Sequence, residues 1–108
     1  MVALDRVKKF VLDLSLTDWV DVKIISKEKN IIDFSLNYRA MIGEEMFEVY
    51  RVDNAHGYLH EQRYWISPQP IPIKMVSGNL KNAFDFYFEQ ILQNFGRYRG
   101  YYLKKLGK

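Results

Sequence analysis

The chain contains no cysteine, and its three prolines are confined to residues 68–72. Without thiols there is no disulfide, no thiol nucleophile and no cysteine zinc site. No apolar run approaches the roughly 20 residues that a membrane helix needs. The stretch from Met1 to Lys9 lacks the uncharged apolar segment and small-residue cleavage site of a signal peptide. The expectation is a cytosolic protein that does not enter a membrane. Histidine is scarce too: the two in this chain are His56 and His60. Acidic residues are missing from 96–108, where Arg97, Arg99, Lys104, Lys105 and Lys108 stand among Tyr98, Tyr101 and Tyr102.

Apolar residues make up 48% of the 108 and aromatics 16%, enough for one packed core. A single domain over 1–108 is expected. The net charge of +3 is uneven, with +5 on residues 96–108 and −2 on residues 1–95. A basic, tyrosine-bearing end attracts phosphate backbones and offers rings to bases. Cations at the negative pole of a helix explain the same pattern without a ligand.

Alternation of apolar and polar residues marks strands. It predicts them over 9–16, after a short helical turn, and over Trp19 to Ser26. It is cleanest from Ile32 through Phe34, Leu36, Tyr38 and Ala40 to Ile42. Further strands are expected at Met46 to Asp53 and Tyr58 to Ile66. Lys27-Glu28-Lys29-Asn30, Gly43-Glu44 and Asn54-Ala55-His56-Gly57 read as turns. Pro68, Pro70 and Pro72 break the sheet. Ser77 or Asn79 then caps a helix whose apolar stripe is Leu80, Ala83, Phe84, Tyr87, Phe88, Ile91, Leu92 and Phe95. Gly96 and Gly100 are expected to interrupt it before a second piece bearing Tyr98, Tyr102, Leu103 and Leu106. The fold class is α+β: an antiparallel five-stranded meander with a long C-terminal helix on one face. The apolar helix surface leaves homodimerisation open.

The chemistry concentrates in Arg51-Val52-Asp53-Asn54-Ala55-His56-Gly57-Tyr58-Leu59-His60. A four-residue turn would set Arg51 opposite His60 and Asp53 opposite Tyr58. With a regular Gly43-Glu44 hairpin, those four would share the helix-covered face with Tyr38, Phe47, Val49 and Tyr64, at its rim. Glu61, Arg63 and Trp65 would fall on the solvent face, beside an ion-pair row of Arg39, Glu48 and Arg63. Three readings follow. In the first, His56 and His60 are an acid/base pair for metal-independent phosphodiester cleavage, with Arg51 clamping phosphate and Asp53 orienting an imidazole. Tyr58, Arg97, Arg99, Lys104 and Lys105 would then hold substrate. In the second, the residues build the turn and a satisfied polar network. In the third, His56, His60 and Asp53 bind a metal, although four residues of extended chain span roughly 13 Å. No cofactor is expected.

The segment resembles one in a family of small archaeal and bacterial proteins of uncharacterised function, where it reads Arg-Tyr-Asp-x-Ala-His-Gly-x-x-His. Phe10-Val11-Leu12-Asp13-Leu14, Ile31-Ile32-Asp33-Phe34-Ser35, Pro70-Ile71-Pro72-Ile73 with Leu80-Lys81-Asn82-Ala83, and Gln93-Asn94-Phe95-x-x-Tyr98 are similar landmarks. A looser likeness is to TumE-like toxins of toxin–antitoxin pairs. It implies an RNA-directed toxin neutralised by a helix-turn-helix antitoxin. Val52 stands where tyrosine is usual, and Glu61 and Gln62 follow His60 where further histidines are usual. The leading expectation is a small RNA-acting protein of the toxin ribonuclease type. The alternative is a non-catalytic module that binds nucleic acid or protein.

Overall fold

The computed structural model describes residues 5–54, 57–74 and 79–108. Six strands come in chain order: β1 Arg6–Ser15, β2 Asp18–Lys27, β3 Asn30–Ile42, β4 Glu45–Asp53, β5 His60–Arg63 and β6 Ile71–Pro72. Each pairs antiparallel with the next, giving one sheet in the order β1-β2-β3-β4-β5-β6. One helix, α1 (Leu80–Lys105), lies across one face. The meander and the covering helix are as the sequence pattern implies.

Turn chemistry closes the hairpins. Glu28 and Lys29 both take positive φ (53° and 69°), the conformation of a two-residue turn that follows strand twist. Gly43, with φ of 65°, turns β3 into β4. Three strand and helix boundaries differ from expectation. β1 is extended from Arg6 onward, with no helical turn among the described residues, because Arg6 to Lys9 pair with Lys23 to Ser26 of β2. The proline-rich segment does not leave the sheet. Ile71 and Pro72 add a two-residue edge strand to β5, a place where a missing N–H is tolerated. Tyr64 to Ile66 leave β5 as a turn, with the Ile66 and Ser67 amides donating to the Arg63 carbonyl.

α1 is a single helix of 26 residues, uninterrupted at Gly96 and Gly100. Its cap is Asn79, whose side chain accepts from the Asn82 amide at 2.9 Å; Ser77 lies outside the described residues. Tertiary packing outweighs the glycines' poor propensity. Ile91 is fully buried, and Phe84, Phe95 and Tyr102 contact Phe34, Tyr38 and Phe47 at ring distances of 5.5, 6.1 and 5.4 Å. Nothing lies within 4 Å of a Cβ built at Gly96 or Gly100. Gly96→Ala and Gly100→Ala are therefore each expected to stabilise the protein by about 0.5–1 kcal/mol, read as a higher urea midpoint at unchanged slope.

The helix is also tied down by a polar lock. Asp18, 4% exposed, accepts from Tyr38 Oη, Ser15 Oγ (2.6 Å) and Arg99 Nη1 (3.1 Å). Arg99 Nη2 donates to the Met41 carbonyl at 2.9 Å. Burial alone would raise the Asp18 carboxyl. Hydrogen bonds from Ser15 and Tyr38 and the Arg99 charge overcome that, and hold it below its ordinary 3.8.

Candidate functional site

A β-bulge decides which side of the sheet carries the chemistry. Tyr38 pairs with Tyr50 while Arg39 pairs with Glu48, so Val49 is an extra residue in β4. Up to Phe47 the ladder follows expectation, with Ala40 opposite Phe47 under the helix. Beyond Val49 the phase inverts. Tyr50, packed on Tyr98 at 5.0 Å, and Val52 take the covered face. Arg51 and Asp53 go to the open face. The sequence carries one mark of this: the apolar positions 47 and 49 switch to 50 and 52 within one strand.

The β4–β5 connection then sets the register. It runs over residues 54–59, two longer than a four-residue turn, so Asp53 pairs with His60 and Arg51 with Gln62. A slip of two preserves the face. Arg51, Asp53 and His60 thus stay together as expected, but on the open side of the sheet. Glu61 and Arg63 move the other way, to the helix side of the sheet, where Glu61 is buried and Arg63 exposed, and Trp65 packs there against Tyr50 and Tyr98. The expected Arg39–Glu48–Arg63 ion-pair row does not form. Arg39 binds Asp21 at 2.9 Å, and Arg63 binds Glu61 at 2.7 Å.

The registers assemble two neighbouring rows across five strands. One is Lys9, Lys23, Ser35, Asp53 and His60. The next is Val11, Asp21, Asn37, Arg51 and Gln62. Between β1 and β4 they line a groove of about 380 Å³ bordered by Lys9, Val11, Asp21, Lys23, Ser35, Asn37 and Arg51. Asp21 is neutralised by Arg39 and Arg51 by Asp53, which leaves Lys9 and Lys23 as the groove's excess charge.

At the β5 end the groups are closed on one another. Asp53 Oδ2 accepts from Arg51 Nε at 2.6 Å, and its Oδ1 lies 2.8 Å from His60 Nε2. His60 Nδ1 faces the Tyr58 carbonyl at 3.4 Å, and the Tyr58 ring covers the imidazole at 5.2 Å. Asp53 and His60 are each 4% exposed. Neither ring nitrogen of His60 is left for a substrate in this arrangement. Arg51 spends only Nε on Asp53, and its two terminal amino groups make no other hydrogen bond among the described residues. They can still take a phosphate. His56 lies outside the described residues. Among the described residues, no three His, Asp or Glu side chains are grouped as metal ligands.

Asn37 stands out in the groove. It is 8% exposed, and its Oδ1 is the one buried side-chain polar atom without a partner among the described residues. Its Nδ2 lies between two carboxylates, 3.5 Å from Asp21 and 3.4 Å from Glu48. That fixes the amide with nitrogen toward the acids and leaves the oxygen for a donor. A buried acceptor with no donor costs free energy, which a ligand's donor recovers once a small rotation of the side chain exposes the oxygen to the groove.

The basic C-terminal end is divided. Arg99 belongs to the Asp18 lock. Lys105 donates to the Tyr64 carbonyl at 2.6 Å and sits over the Tyr102 ring. Arg97 and Lys104 are exposed and make no ion pair among the described residues. The sequence pattern does not single out Lys9, Lys23, Ser35 or Asn37, because they meet Arg51 only through the pairing of β1 to β4.

No helix among the described residues is long and apolar enough to cross a membrane. No curated protein and no solved structure matches the chain significantly. Its sequence does match a family profile over residues 5–108, the whole extent of the sheet and its helix, and the chain therefore belongs to the family described as Domain of unknown function (DUF7718).

Proposed function

We propose that the protein is a small RNA-binding module whose open sheet face holds the sugar-phosphate backbone of a single strand. One observation carries this reading: an unpartnered, buried amide oxygen on Asn37 lies in a groove that also presents Lys9, Lys23 and Arg51. A ligand suited to it is anionic and brings a hydrogen-bond donor close to the anion. A ribose 2′-hydroxyl beside a phosphodiester supplies both, and DNA lacks the donor. Five strands at ~4.8 Å spacing carry the two rows across roughly 19 Å, room for a few nucleotides. Contacts of this type hold backbone and carry no sequence information. Arg51 keeps the phosphate-clamping role, with Asp53 and His60 as the brace that aims its guanidinium.

The ribonuclease reading, with a helix-turn-helix antitoxin as partner, has one observation in its favour: an imidazole held by a carboxylate at the end of a cationic row. The two readings separate on turnover. Purified protein incubated with labelled single-stranded RNA in EDTA is expected to retain it uncut. His60→Ala should behave alike. Cleavage by the native protein that His60→Ala loses would replace the binding reading with the ribonuclease one.

A further inference from the structure

A second opening lies on the other side of the sheet, where β4 and β5 meet the helix. Its walls are Tyr50, Glu61, Arg63 and Trp65 from the sheet side, and Gln90, Asn94, Arg97, Tyr98 and Tyr101 along one stripe of α1. It encloses about 240 Å³.

The charges in this cleft do not cancel. Glu61, the one acid in its wall, is engaged through both oxygens: Tyr50 Oη donates to Oε2, and Arg63 Nη2 lies 2.7 Å from Oε1. The cleft therefore seeks no cation. Arg97 has no acidic partner among the described residues, so the wall carries an excess of positive charge. Trp65 sits 5.2 Å from the Tyr98 ring and 5.4 Å from the Tyr101 ring, and Tyr101 is 40% exposed. Aromatic walls favour a flat ligand. Asn94 Nδ2 donates to Gln90, and the two carboxamides place donors and acceptors on the remaining wall.

Flat rings, an unpaired guanidinium and paired amides together match one ligand class. We propose that this cleft binds a nucleoside 5′-monophosphate group, its base against Trp65 and Tyr101 and its phosphate at Arg97. The group comes either as a free nucleotide or as the 5′ end of an RNA. The site is built from residues the groove does not use, and it stands whatever the groove binds.

Trp19→Phe leaves Trp65 as the single tryptophan, an intrinsic reporter inside the cleft. Titration of that variant with 5′-AMP and 5′-GMP is expected to change its fluorescence saturably. Ribose 5-phosphate, which lacks the base, should not. Arg97→Ala, at an exposed position, should weaken nucleotide binding at least tenfold with the fold intact by circular dichroism. A 5′-phosphorylated oligoribonucleotide that displaces the nucleotide, where its 5′-hydroxyl twin does not, supports the proposal and names the RNA end as the source. Displacement by neither supports it with the free nucleotide as the source. No saturable response to either nucleotide at millimolar concentration overturns the proposal, as does equal affinity for ribose 5-phosphate.

Discussion

Asp18→Ala is expected to destabilise the protein by about 3–5 kcal/mol, the usual cost of breaking a buried ion pair from one side. The substitution strands two groups at once. The fully buried Tyr38 hydroxyl loses its acceptor, and Arg99 loses its counter-charge while still reaching the Met41 carbonyl. Marginal folds have only about 5–15 kcal/mol in total, so much of the variant should be unfolded at moderate urea. Arg97→Ala, two residues from Arg99 on the same helix, should change stability by less than about 0.5 kcal/mol. The contrast separates a cation that holds the helix from one that is exposed.

The same lock makes a pH-dependent contribution to the stability of the native protein in acid. The folded Asp18 carboxyl lies below its ordinary 3.8, despite burial, because of Ser15, Tyr38 and Arg99. As pH falls, the unfolded chain takes up this proton first. The stabilisation is therefore present above about pH 4 and is lost as pH drops through the lower folded value. At the alkaline end the sign reverses. Burial, then hydrogen bonding to Asp18 and Glu61, pushes the Tyr38 and Tyr50 hydroxyls well above 10. Their contribution is complete below pH 10 and declines above it, as the unfolded tyrosines ionise. Urea midpoints across pH should trace both limbs, and Asp18→Asn should flatten the acid one.

The second large effect is on binding. Lys9→Gln with Lys23→Gln removes two of the three cations of the groove without touching the core. Affinity for a single-stranded RNA is expected to fall on the order of tenfold, near the upper end for two solvent-facing charges. The slope of log affinity against log salt should shrink by about 1.4, since each lost phosphate contact removes about 0.7 for single strands. Thermal stability should stay put, because neither lysine forms an ion pair among the described residues. An unchanged slope would place the strand elsewhere on the surface.

Much of the architecture is readable from local pattern. The alternation from Ile32 to Ile42 marks β3 because one face of that strand is covered and the other open. The stripe from Leu80 to Phe95 marks the helix face that meets Phe34, Leu36 and Tyr38. The cluster of Arg51, Asp53 and His60 is also readable, since the two-residue slip in register keeps all three on one face. Its side of the sheet depends on Val49. A single bulged residue leaves only a change of phase, which a regular hairpin model passes over. β6 is hidden for a related reason: two residues that include Pro72 have no periodicity, and only the backbone of β5 defines them as a strand. The groove is the least legible part. Lys9, Lys23, Asn37 and Arg51 come from four strands, so they become neighbours only when every register is known.

The most direct measurement compares RNA and DNA of one sequence, as single strands, bound by the native protein and by Asn37→Ala. If Asn37 Oδ1 accepts a 2′-hydroxyl, the native protein should prefer RNA by roughly tenfold, the worth of one good hydrogen bond. Asn37→Ala should bring the RNA/DNA ratio close to one and leave DNA affinity unchanged. Equal binding of the two by the native protein, or a preference that survives in Asn37→Ala, would contradict the assignment of the open face to RNA.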